Sequence, residues 1–123
     1  METLFCLNEE ILNYNKVIIY GAGVAGRGLL LKLLQRNVKV DCFADSYPDN
    51  CGIRYLNIPI VHIDDLTPDR ETSAIIVSGR YAVEVAEELE KRGFKHLFLD
   101  YGNEVGVIHL KRDRGNTDGR LYL

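Results

Sequence analysis

Apolar positions in this chain alternate between short continuous runs and longer stripes spaced by three and four, the patterns of buried strands and of amphipathic helices. Val17-Ile18-Ile19-Tyr20 is a β-branched run and predicts a first strand over Lys16 to Tyr20. Behind it Ala25, Leu29, Leu30, Leu33 and Leu34 form one stripe, which predicts a helix from Val24 to Arg36, and Asn37 supplies a left-handed residue to end it. Val38 to Ala44 is nearly all apolar, as in a parallel strand covered on both faces. Ile58-Pro59-Ile60-Val61 reads as a third, short strand, which Pro59 assigns to an edge because proline cannot donate to a ladder. Ala74 to Ser78 is the fourth strand and Lys95 to Asp100 the fifth. Between them Tyr81 to Arg92 is helical, with Val85, Ala86 and Leu89 inward, Glu84, Glu87, Glu88, Glu90, Lys91 and Arg92 outward, and Gly93 as cap. Asn8-Glu9-Glu10 before Ile11 and Leu12 predicts a short capped helix, and Asp64-Asp65-Leu66-Thr67-Pro68 a helical turn capped by a carboxylate.

Strands that alternate with helices imply a parallel sheet with right-handed crossovers. The expected fold is a Rossmann-like three-layer α/β domain whose five-stranded sheet runs in the order 3-2-1-4-5. One domain spans 1–123, with its core over 16–100 and a tail, 101–123, that either adds a strand at Val105 to Leu110 or is loosely ordered. The strand order reverses between the first and fourth strands, so a ligand belongs outside the carboxyl ends of strands one, two and four. A chain of 123 residues leaves no room for a separate catalytic domain. A net charge of −3 and a pI near 5.6 exclude the basic surface of a nucleic-acid binder, so phosphate recognition must be local. No basic leader is visible and no apolar run approaches the roughly 18 residues of a membrane span, which predicts a cytoplasmic protein.

The chemistry concentrates where the first strand meets the first helix. Gly21, Gly23 and Gly26 form G-x-G-x-x-G in the strand-before, helix-after context that the motif requires. The first glycine permits a tight turn, the second lets backbone approach a phosphate, and the third lets helix pack on strand. With Ala22, Val24 and Ala25 they present backbone amides and a helix dipole to an anion. Arg27 either clamps a phosphate or sugar carboxylate or is a solvated side chain. Asp45 lies 19 residues beyond Gly26, the spacing of a ribose-reading acid, with Ser46 beside it; its other reading is a turn cap. Ser78, Gly79 and Arg80 end the fourth strand at the switch point and are candidate ligand-lining residues, and Tyr81 offers a stacking face or is helix-start surface. Cys6, Cys42 and Cys51 lack disulfide or zinc spacing, and His62, His96 and His109 have no spaced partners, so no metal is expected. No nucleophile and base are set out in a recognisable pattern, and no catalytic residue is expected.

Ile19-Tyr20-Gly21-Ala22-Gly23-Val24-Ala25-Gly26-Arg27, Phe43-Ala44-Asp45 with Pro48, then Gly52, Ile58-Pro59-Ile60 and Asp64-Asp65-Leu66 resemble a known family. It is the small Rossmann-like domain at the amino terminus of bacterial sugar acyltransferases of the sialic-acid O-acetyltransferase and bacillosamine acetyltransferase kind. The same pattern precedes nucleotide-sugar 4,6-dehydratases of capsule biosynthesis and some FkbM-type methyltransferases. The resemblance runs from about Lys16 to Asp100 and implies a nucleotide-sugar-binding module, UDP-linked, of surface-polysaccharide biosynthesis. The chain departs from the family in having Ser46 where a second acid is usual, no hexapeptide repeats, and no Tyr-x-x-x-Lys dyad. The expected partners are therefore a small-molecule nucleotide and a transferase domain or subunit, with a homo-oligomer left open. The alternative reading, which the glycine pattern also admits, is an NAD- or CoA-binding module that acts as a sensor or as part of an oxidoreductase. A protein-interaction domain with a vestigial pocket is the third reading.

Overall fold

A computed structural model describes residues 9–100 together with the backbone of 107–109, 111–112 and 121–122. The β-branched run becomes β1 (Lys16–Tyr20), whose three central residues are buried. The remaining elements are α1 (Val24–Gln35), β2 (Cys42–Asp45), β3 (Arg54–Tyr55), β4 (Ile58–His62), β5 (Ser73–Ser78), α2 (Ala82–Lys91), β6 (Leu97–Asp100) and β7 (Val107–His109). β8 (Lys111–Arg112) and β9 (Leu121–Tyr122) pair with each other in a separate antiparallel ladder. Three 3-10 segments, Glu9–Asn13, Pro48–Asn50 and Ile63–Asp69, supply the connections read as short helices or turns.

The fold is Rossmann-like α/β, but the expected five-stranded sheet is replaced by a seven-stranded one in the order β3-β4-β2-β1-β5-β6-β7. β1 pairs in parallel with β2 and β5, and β4 and β6 continue the parallel ladder outward. The edges are antiparallel: β3 against β4 and β7 against β6. The cause at one edge is a two-residue turn, Leu56-Asn57, with both φ positive at 49° and 66°, the geometry of a primed hairpin turn. Asn tolerates it, Leu does not favour it, and the Arg54 guanidinium braces it by donating to the Asn57 carbonyl at 3.0 Å. Pro59 is accordingly not on an edge strand, since β4 lies between β2 and β3. It is accommodated because pairing with β2 begins only at Ile60, one residue beyond.

Other expectations shift by short stretches. Val38 to Asp41 is not strand, although Val38 and Val40 are buried. Asp41 instead clamps Val17 twice, its amide donating to the Val17 carbonyl at 2.9 Å and its carboxylate accepting the Val17 amide at 2.8 Å. The buried stripe of α1 is Gly26, Leu29, Leu30 and Leu33, so the helix turns Ala25 and Leu34 outward because its closest approach to the sheet is through glycine. The segment Ile63–Asp69 is capped by the His62 ring, whose Nδ1 accepts the Asp64 amide at 3.1 Å, and not by a carboxylate. α2 is one residue shorter at each end than expected, with Tyr81 and Arg92 as its flanking residues. Within the expected tail strand, Val107–His109 forms β7; Cys6 and most of the tail lie outside the described residues.

Alternation along the strands divides the core into two layers. Val17, Ile19, Phe43, Ile76 and Phe98 pack with Leu29, Leu30 and Leu33 of α1. Ile18, Ala44, Ile75, Val77 and Leu99 pack with Ala86 and Leu89 of α2 and with Ile63 and Leu66. Phe43 is fully buried and meets Tyr55 edge-to-face at 6.2 Å, which ties the β3 hairpin to the α1 layer. Phe43→Ala should lower unfolding free energy by about 3–5 kcal/mol, the usual cost of removing a buried phenylalanine. Urea denaturation followed by far-UV circular dichroism measures it, and a loss under about 1 kcal/mol would show that the layer repacks.

Candidate functional site

The carboxyl ends of β1, β2 and β5 meet at the glycine turn. Gly21 follows β1 with φ +92° and donates to the Ala44 carbonyl at 2.7 Å, a conformation that L side chains rarely adopt. Gly26 is the close-packing glycine: a Cβ there would lie 1.9 Å from the Gly21 carbonyl oxygen and 3.3 Å from Ile19 Cγ2. Gly23 is different. It precedes the first residue of α1 in extended conformation, a Cβ on it would meet nothing within 4 Å, no side chain caps the helix, and the first turn holds no acid. The start of α1 thus carries no capping side chain and lies beneath open space. Val24, 92% exposed, and Ala25 flank this approach.

Asp45 closes the turn from the β2 side. Its Oδ2 accepts the Ala22 amide at 3.2 Å and the Asn50 side-chain amide at 3.3 Å, and its Oδ1 accepts the Tyr47 amide at 2.8 Å. The carboxylate therefore does the work of a turn cap and also anchors the glycine turn to β2. Two donors on Oδ2 and one on Oδ1 leave Oδ1 with acceptor capacity that no described donor takes up. Ser46 is exposed, and its carbonyl lies 3.2 Å from His62 Nε2. With Nδ1 at the Asp64 amide and Nε2 at the Ser46 carbonyl, the ring bridges the β2 loop to the Ile63–Asp69 segment.

Arg27 turns back over the same loop. Its Nε donates to the Ala22 carbonyl at 2.9 Å and its guanidinium carbon sits 4.6 Å from the centroid of Tyr55, over the ring. Asp45 and Arg27 together hold both backbone polar groups of Ala22, one from each side. On the β5 side, Gly79 has φ +101° and would carry a Cβ 3.5 Å from that of Ala25, so this loop lies against the first turn of α1. Ser78 Oγ is buried there and finds no hydrogen-bond partner. Arg80 and Tyr81, the latter 64% exposed, lie on the surface beyond it.

Asp100, 2% exposed, stands beside Ser78 across the β5–β6 ladder. It is a buried acid at the carboxyl edge of the sheet that sequence reading took only as the end of a strand. The contact of Tyr55 with Arg27 is not legible in the sequence, because it depends on a hairpin whose turn has no Asn-Gly signal, whereas Asn50 reaches Asp45 through the local 3-10 turn Pro48–Asn50. A cleft of about 280 Å³ opens between α2 and the ends of β1 and β2, lined by Tyr20, Ser46, Glu84, Glu88 and Arg92 among others. A larger cavity of about 450 Å³, at Arg70, Glu71, Gly93 and Lys95, lies at the amino ends of β5 and β6, opposite the glycine turn. Its charges are taken up by a Lys95–Glu71 pair at 2.8 Å and by Arg70 donating to the Arg92 carbonyl.

Neither described cysteine supports thiol chemistry. Burial pushes the Cys42 thiol up to about 11, and partial desolvation with the Asp45 and Asp65 carboxylates raises that of Cys51, against the formation of a thiolate. Among the described residues no group of three His, Cys, Asp or Glu side chains could hold a metal, and no helix is long and apolar enough to cross a membrane.

This combination of a parallel sheet, a glycine turn at the switch point and an uncapped helix start defines a Rossmann-like nucleotide-binding domain. The CoA binding domain family model matches residues 13–99, and the chain belongs to that family. No curated protein matches the chain. Among solved structures it is similar to the UDP-D-quinovosamine 4-dehydrogenase of Vibrio fischeri, with a TM-score of 0.59 and 19% identity over 80% of this chain and 94% of that one. It is also similar to RSP, a Rex-family repressor, with a TM-score of 0.53 and 18% identity over 78% of this chain and 50% of that one. At such identities the likeness is one of fold.

The two inner glycines should respond in opposite ways to a methyl group. Gly26→Ala forces α1 off β1 and should cost about 3 kcal/mol of stability, the upper end of the usual range for overpacking. Gly23→Ala should change stability by less than about 1 kcal/mol, since its Cβ enters open space. Thermal and urea denaturation of both variants check the contrast, and equal losses would contradict it.

Proposed function

We propose that this domain binds a nucleoside diphosphate group, carried by a UDP-sugar, with the diphosphate over Gly23 and the ribose against the end of β2. The observation that carries the reading is the open, uncapped start of α1, where backbone amides and the helix dipole meet an anion without a side chain in the way. Asp45 is the ribose reader in this reading, through the acceptor capacity left on Oδ1, and Ser78 Oγ and Gly79 line the distal side. The UDP-sugar is supported by the resemblance to the amino-terminal domains of sugar acyltransferases and by the fold shared with a UDP-sugar dehydrogenase. The same resemblance supports a transferase domain or subunit as partner, in the biosynthesis of surface polysaccharide. The second reading, CoA or NAD in the same turn, is favoured by the family to which the chain belongs.

Isothermal titration with UDP, a UDP-sugar, NAD and CoA tests both. The expected outcome is binding of UDP and UDP-sugar, with about 2.7 kcal/mol of added stability at 100 times the dissociation constant. Binding of CoA or NAD alone would establish the second reading, and binding of none would overturn the diphosphate site. Gly23→Val should abolish binding while the melting temperature of the free protein stays near that of the parent, because the side chain takes the phosphate's place. Unimpaired affinity in that variant would remove the glycine turn from the site.

A further inference from the structure

Arg27 is held at two points and spends neither of its terminal nitrogens on either. Nε is directed at the Ala22 carbonyl and the guanidinium rests over the Tyr55 ring, while Arg27 as a whole stays exposed. The ring below is anchored: Tyr55 is partly buried and packed on the α1 core layer, edge-to-face with fully buried Phe43. The guanidinium carbon thus has an aromatic ring 4.6 Å away on one side, and Arg27 is exposed to solvent; a cation backed by a ring is a surface on which nucleobases stack. Its place in the fold matches. Arg27 and Asp45 both hydrogen-bond Ala22, so the guanidinium and the acid at the end of β2 belong to the same glycine turn.

The geometry points to a nucleobase platform: the base of the bound nucleotide stacks on the outer face of Arg27 and completes a Tyr55–Arg27–base stack. This rests on the nucleoside diphosphate reading of the same site, and it assigns to Tyr55, a residue of the β3 hairpin, the role of a positioning residue that acts through Arg27. The platform carries positive charge beside a π-face without a hydrogen-bonding code, so it accepts purine and pyrimidine alike and holds the larger purine surface more strongly.

Titration calorimetry with UDP, ADP and inorganic pyrophosphate separates base from phosphate. Tyr55→Leu should weaken UDP and ADP by roughly five- to a hundredfold, the span of one base–aromatic stack, while pyrophosphate binds as to the parent protein. Tyr55→Phe, which keeps the ring, should retain nucleotide affinity. Arg27→Met removes the platform without touching the core, so it stays informative if Tyr55→Leu disturbs the hairpin. In that variant the ratio of nucleotide to pyrophosphate affinity should fall. Equal losses for nucleotides and pyrophosphate would reassign Arg27 to the phosphates, and unchanged affinities would reduce the stack to a tie between α1 and the hairpin; either result overturns the platform and leaves the diphosphate site standing. Failure of the parent protein to bind any of the three would instead sink the diphosphate reading and the platform with it.

Discussion

The contact between Gly26 and the Gly21 carbonyl sets the geometry of everything around it. With no room for even a methyl group between them, α1 starts directly against the end of β1, and its dipole points over the carboxyl edge of the sheet. Were the helix displaced by the thickness of a side chain, Gly23 would no longer lie open above the helix start and Arg27 would not return to Ala22. Leu29, Leu30 and Leu33 then fill the α1 layer at the depth that this approach dictates.

Asp45 shows how the same turn serves both folding and recognition. Three internal donors converge on its carboxylate, so it is a structural acid first, the link by which β2 fixes the glycine turn. That engagement also pre-orients it. A carboxylate already held by Ala22, Tyr47 and Asn50 loses little conformational freedom when it accepts one further hydrogen bond, which is the physical advantage of a pre-organised site. The reading of this residue as a ribose acceptor and its reading as a turn cap are therefore compatible in one geometry.

The β5 side of the crevice is built differently. Gly79 lies near Ala25 in a positive-φ conformation, and the Ser78 hydroxyl is buried without a partner, a costly arrangement for a polar group. Asp100 lies next to it in the ladder. Polar groups thus flank the glycine turn at the ends of both β2 and β5, while ion pairs such as Lys16–Asp69 and Arg92–Asp64 tie together other parts of the domain.

The elements whose signals are local were legible from the residues themselves. The β-branched run before Gly21, the leucine stripe of α1, Asn37 at φ 61° and Gly93 at φ 94° each carry their own chemistry, and they led to the Rossmann-like class and the glycine turn. Tertiary structure decided what depends on distant partners. The β3 hairpin turns at Leu56-Asn57 without a turn signature, because the gain comes from pairing β3 with β4 and packing Tyr55 on Phe43. From that unannounced hairpin follow the extra edge strand, the interior place of Pro59 and the aromatic backing of Arg27. Asp41 ends up as a clamp on Val17 and Asp100 as a buried acid beside Ser78 for the same reason: burial and hydrogen bonding are set by the neighbour that the fold delivers, and a side chain's own identity does not name that neighbour.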